Sequence, residues 1–138
     1  MTQTLAMFAL IVRNYDEAIE YYTRCLRFTL LEDDDRGNGK RWVVLAPQGN
    51  GGAYLLLARA VNPQQESRIG DQTGGRVFLF LHTDDFWGDY SYMKGQGVHF
   101  IEQPRHEEYG TVVVFQDLYG NKWDLIEEKK TTSDETIS

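Results

Sequence analysis

Asp117-Leu118-Tyr119-Gly120-Asn121-Lys122-Trp123-Asp124-Leu125-Ile126-Glu127 decides the fold. With the apolar run 111–115 before it, the stretch reads as a hairpin: a strand, a Gly-Asn turn, a second strand. Gly120 and Asn121 suit a tight turn because both tolerate positive φ. On the second strand Lys122, Asp124 and Ile126 alternate with Trp123 and Leu125. One face therefore carries a carboxylate and the other is apolar, turned toward a helix.

Working outward, the same order of elements occurs twice. Residues 5–12 form an apolar run of strand length, followed by Asn14 and, three residues on, Glu17, a capping-box spacing. A helix over 15–26 carries Ala18, Ile19, Tyr22, Cys25 and Leu26 on one face. A strand begins at 28–31, Asp33 to Gly39 reads as a polar turn, and strands follow at 41–46 and 53–58. The second half has a strand at 76–83 and Asp84 as the cap of a helix over 85–96. That helix turns Phe86, Trp87, Tyr90 and Met93 inward and stops at Gly97. Strands at 98–102, 111–116 and 122–127 complete it. The expected fold is α+β: two βαβββ modules, 5–60 and 76–128, in one domain over 1–128. A polar linker (61–75) joins them, and a polar, frayed tail (129–138) follows. Runs such as Val77-Phe78-Leu79-Phe80-Leu81 are apolar at successive positions, so both faces of the sheet must be covered. Helices cover one; the other closes around itself or a ligand, which implies a curved mixed sheet around a cleft.

Composition narrows the function. At 138 residues the chain suits a single core. Its net charge of −7, without a basic patch, argues against nucleic acid and anionic membrane surfaces as partners. The 13% aromatic content is core or the lining of a ligand cavity. One cysteine, Cys25, permits no intrachain disulfide and falls at an apolar helical position. Residues 5–12 are too short to span a bilayer and lack the features of a signal peptide. The expected location is the cytoplasm.

The pattern Asp-x-x-Gly-Asn-x-x-acid-Leu at 117–125 resembles the closing hairpin of the vicinal-oxygen-chelate superfamily, which includes glyoxalases, bleomycin- and fosfomycin-resistance proteins and extradiol dioxygenases. Leu10 through Tyr22 and Phe80-Leu81-His82-Thr83-Asp84-Asp85 extend the resemblance over most of the chain. It implies a homodimer. In catalytic relatives it also implies one divalent ion, held by His and Glu side chains, acting as a Lewis acid. The ligand positions fall here on Met7, on Phe78 (or Val77 if the register slips by one), and on Asp124; the first module's closing strand offers no acid or imidazole. Met and Phe do not bind hard or borderline ions, so no metal or other cofactor is expected. Relatives often have Gly where this chain has Arg27, which suggests a different exit from the first helix.

The candidate site residues follow from these faces. His82 and Asp124 are candidates for proton transfer; Asp124 is alternatively an anchor for a cationic group or half of a salt bridge with Arg13, Lys122 or Arg41. Trp42, Tyr54, Phe78, Phe80, Tyr109 and Phe115 are candidates for a ligand-binding aromatic lining. His106, Glu107 and Glu108 read as a solvated loop, and His99 as structural or exposed. Two functions remain: a small-molecule binder without the usual metal, or a lyase or dioxygenase of the glyoxalase type with a displaced metal site.

Overall fold

A computed structural model describes residues 1–49 and 51–130; from residue 131 on, the expected tail lies outside the described residues. The first module runs β1 (Met7–Val12), α1 (Tyr15–Cys25), β2 (Thr29–Gly37), β3 (Lys40–Ala46) and β4 (Tyr54–Arg59). A short helix, α2 (Pro63–Glu66), lies in the linker. The second module runs β5 (Val77–His82), α3 (Phe86–Gly95), β6 (His99–Phe100), β7 (Arg105–Glu107), β8 (Gly110–Gln116) and β9 (Lys122–Glu128). Each module forms its own mixed sheet, in the orders β1-β4-β3-β2 and β5-β9-β8-β6, with β7 also on β8. The βαβββ plan thus occurs twice, β6 and β7 sharing one strand position.

Local chemistry explains the elements and corrects several expectations. Asn14 Oδ1 accepts the Glu17 N–H at 2.9 Å and caps α1. Glu17 does not complete the box; its carboxylate instead accepts from Arg13 and from the Tyr119 hydroxyl. Arg27 leaves α1 at φ 60, the left-handed conformation a glycine would take, so the helix exit is not different after all. Its guanidinium lies 4.0 Å from the Tyr92 ring centroid and 3.0 Å from Asp89, partners that a glycine lacks. Asp33, Asp34 and Asp35 are strand rather than turn, because β2 continues along β3 as far as Gly37. The helix cap is Asp85, not Asp84, and Trp87 is exposed rather than inward.

The inner faces of both sheets share one core. Leu10, Val12, Val43, Leu45, Leu55 and Leu57 come from the first sheet, and Val113, Phe115, Trp123 and Leu125 from the second. Ala18, Tyr22 and Cys25 of α1 and Phe86 and Met93 of α3 join them. Cys25 is buried and free, its thiol pKa pushed up by burial. Because both inner faces point into this core, both outer faces point away from it. Among the described residues no helix is long and apolar enough to cross a membrane.

Candidate functional site

Asp117 of the opening motif is structural. Its Oδ1 accepts the N–H groups of Tyr119, Gly120 and Asn121 at 3.0, 3.1 and 3.0 Å. Its Oδ2 accepts from the Tyr22 hydroxyl at 2.6 Å, Asn121 Nδ2 at 3.1 Å and Trp123 Nε1 at 3.0 Å. Only Gly120 of the turn pair has positive φ, at 100°. The turn is thus built around a buried carboxylate that joins α1 to β9. The sequence marked the turn and did not reveal this role.

Asp124 is the contrasting acid. On the outer face of the second sheet it pairs with Phe80 of β5 on one side and Val114 of β8 on the other. Its Oδ1 is shielded from solvent and has no hydrogen-bond partner among the described residues. Burial raises its pKa, Arg105 opposes this, and the charge of Glu102 adds to it. The partners expected for it are engaged elsewhere. Arg13 holds Glu17, Arg41 holds Asp33 and Asp16, and Lys122 Nζ donates to the Gly75 carbonyl at 3.1 Å. Glu102 fills the gap between β6 and β7: its Oε2 accepts the Val114 N–H at 2.9 Å, and Arg105 Nε donates to both its oxygens. Neither Glu102 nor Arg105 was singled out from sequence. Pro104 between them was the available signal, since proline interrupts a strand ladder.

The outer face continues past Asp124. Phe80 is 61% exposed. His82 follows on the same face, with Nδ1 3.4 Å from Glu128. His82, Glu108, Tyr109, Ile126, Glu128, Lys129 and Lys130 line a groove of about 520 Å³. Tyr109 is 52% exposed there, and its carbonyl accepts the Lys129 N–H. A larger depression, near 1300 Å³, lies between the end of α1, residues 47–49 and the start of α3. Several of its polar groups already serve the fold: Asp85 caps α3, Asp89 pairs with Arg27, and Glu127 accepts the Phe86 N–H. The groove is therefore the less committed of the two, and Phe80 and Asp124 lie on the same sheet face outside its lining.

The remaining candidates divide. Tyr54 is 42% exposed and Trp42 half-buried, both on the outer face of the first sheet. Trp42 Nε1 donates to Glu32, and Arg36 lies over its ring. Phe78 is the extra residue of a β-bulge between Val77 and Leu79, so it leaves the row of Phe80 and meets Phe8 edge-on at 6.2 Å. Phe115 is fully buried in the core, stacked on Trp123 at 5.7 Å, and lines no cleft. His106 lies on β7, facing Thr111 and Trp87, rather than in a loop. One chain thus brings Phe80, Asp124, His82 and Tyr109 onto one face and leaves Trp42 and Tyr54 on another.

The donor set does not fit the metal of catalytic relatives. Met7 lies beside Tyr54, Phe78 packs edge-on against Phe8, and neither Met7 nor Phe78 offers oxygen or imidazole. Among the described residues no three His, Cys, Asp or Glu side chains converge to hold an ion. The profile of the Glyoxalase/Bleomycin resistance protein/Dioxygenase superfamily matches residues 4–125.

The chain belongs to that superfamily.

An uncharacterized protein of Shewanella frigidimarina (strain NCIMB 400) is 53% identical over 128 residues, 92% of this chain and 95% of that one. Among solved structures of the superfamily's fold, TnmS3, an antibiotic binding protein from Streptomyces sp. CB03234, is 25% identical with a TM-score of 0.72. That match covers 94% of this chain and 98% of that one. A glyoxalase/bleomycin resistance protein from the same organism is 28% identical, with a TM-score of 0.69 and coverage of 89% and 99%.

Proposed function

We propose that this superfamily member binds a small organic molecule on its outer sheet faces, as a homodimer and without the metal of catalytic relatives. The observation that carries the reading is Phe80, a large aromatic side chain left 61% exposed beside the unpartnered oxygen of Asp124. An exposed aromatic next to an unsatisfied buried acceptor is an arrangement that a ligand completes. Likeness to an antibiotic binding protein supports the same reading. The outer faces point away from the shared core, so Trp42 and Tyr54 can meet Phe80 and Asp124 only across two copies. We place its action in the cytoplasm, where a lone buried cysteine stays reduced.

Mass spectrometry under non-denaturing conditions, paired with elemental analysis of protein purified without chelator, tests the reading. A dimer that takes up small aromatic molecules without stoichiometric metal is expected. Stoichiometric Mn, Fe, Ni or Zn overturns it. That result would favour the second reading, a lyase or dioxygenase of the glyoxalase type with a displaced metal site. His82 and Asp124 on one face are the observation behind that alternative.

A further inference from the structure

We propose that Asn38 is a site of spontaneous covalent modification. Its side-chain amide is lost to attack by the Gly39 backbone nitrogen, and the tip of the β2–β3 hairpin gains a carboxylate and, in one product, a longer backbone. The inference is independent of the binding reading above.

The attacking and attacked groups adjoin in an open turn. Gly37 pairs with Lys40, which leaves Asn38 and Gly39 as a two-residue connection. Both take positive φ, 56° and 79°, the pattern of a type I′ turn. Asn38 is exposed, and the Gly39 N–H has no hydrogen-bond partner among the described residues. Gly39 also has no Cβ to crowd an approach to its nitrogen. That nitrogen gives its proton to water and attacks Asn38 Cγ. An N–C bond forms, the bond from Cγ to the amide nitrogen breaks, and ammonia leaves. The five-membered succinimide so formed takes up water. Hydrolysis at one carbonyl gives aspartate; at the other it gives isoaspartate, whose main chain runs through Cβ and Cγ. Water enters, ammonia leaves, and nothing is oxidised or reduced. The left-handed backbone must open before Cγ reaches the nitrogen. Opening costs little here, because the turn ends an edge strand whose nine residues are all exposed.

Other asparagines lack these features. Asn14 and Asn62 hold their side-chain oxygens in helix caps at 2.9 and 2.8 Å, and Pro63 after Asn62 has no N–H to attack with. Asn121 is 3% exposed and donates to Asp117. Asn50 also precedes a glycine and lies outside the described residues.

The two products differ in consequence. Aspartate keeps the turn and adds charge. Isoaspartate lengthens a turn whose length fixes the register, so the pairing of Gly37 with Lys40 and of Asp35 with Arg41 is lost. That loss runs toward Trp42, the next residue of β3, whose Nε1 donates to Glu32.

The test keeps the full, folded chain for days at mildly alkaline pH. Trypsin then releases residues 37–40 apart from the peptide that carries Asn50, and mass spectrometry with electron-transfer fragmentation reads both products. Asn38 should convert about tenfold faster, or more, than Asn14 and Asn121, with isoaspartate in excess of aspartate. The isolated isoaspartate form should exchange the backbone amide hydrogens of residues 40–44 faster than the parent, whereas Asn38→Asp should exchange them as the parent does. An Asn38 that stays intact while the guanidinium-unfolded chain converts overturns the proposal. So does conversion no faster than at Asn14 and Asn121, or aspartate as the sole product. Unchanged exchange in the isoaspartate form overturns the loss of register.

Discussion

The Tyr22 hydroxyl donates to Asp117 Oδ2 at 2.6 Å, a fully buried bond between the first helix of one module and the closing hairpin of the other. Burial and this carboxylate drive the Tyr22 pKa well above its ordinary value, so the phenol stays a donor across the accessible pH range. Removing Tyr22's hydroxyl leaves Asp117 five donors; removing the Asp117 carboxylate takes an acceptor from all six, of which the Gly120 N–H keeps another, the Asp117 carbonyl at 3.0 Å. Tyr22→Phe should cost about 1.5 kcal/mol and Asp117→Ala about 3 kcal/mol or more. Urea unfolding measures both. A cost for Asp117→Ala no larger than that for Tyr22→Phe would remove Asp117 as the organiser of the turn.

Arg27 sets two effects against each other. A non-glycine residue in the left-handed region costs about 1 kcal/mol. Stacking on Tyr92 returns about 0.5–1 kcal/mol, and the exposed pair with Asp89 adds a few tenths. Arg27→Gly should therefore change stability by less than about 0.5 kcal/mol, because strain and partners leave together. Arg27→Ala keeps the strain and loses the partners, and should cost about 1 kcal/mol. Thermal unfolding of the pair distinguishes them; equal losses would show that the backbone conformation is not strained.

These cases show what was legible in the sequence. The doubled order of elements, the inner face of Trp123 and Leu125 and the cap at Asn14 followed from periodicity and spacing, which encode local structure. The bulge that removes Phe78 from the row of Phe80 was not legible, since a one-residue slip depends on pairing across strands. That Phe115 faces the core and not a cleft is not legible either, because an apolar strand covered on both faces has no alternation to mark which face is which. Asp117 and Asp124 lie seven positions apart in one motif, and nothing local says that one is saturated and the other bare. That difference arises from Tyr22, Glu102 and Arg105, brought in from distant segments.

The dimer reading makes a claim about distance. Trp42 and Phe80 lie on outer faces that point away from the core of one chain. If two copies form the cleft, Trp42→Ala and Phe80→Ala should each weaken binding of the same small aromatic molecule by about tenfold, as truncations of central aromatic contacts do. Sedimentation should give twice the 16.0 kDa chain mass. A monomer, or a Trp42 variant with undiminished affinity, would confine the site to the second sheet.

Asp124 should be a residue whose removal stabilises the fold. Burial raises its pKa, against the pull of Arg105 and with the push of Glu102. A carboxyl with a raised folded pKa binds its proton more tightly in the native state than in the unfolded one. Its stability contribution is full below the unfolded pKa of about 3.9 and is lost as pH rises through the folded value. Above that value the native state carries the charge with Oδ1 lacking a partner among the described residues, which destabilises it. Asp124→Asn should unfold at a higher temperature than the parent at neutral pH, and the difference should close as pH falls below the carboxylate range. Scanning calorimetry across pH reads both. A variant less stable than the parent at neutral pH would mean that Asp124 is already paired in the native protein.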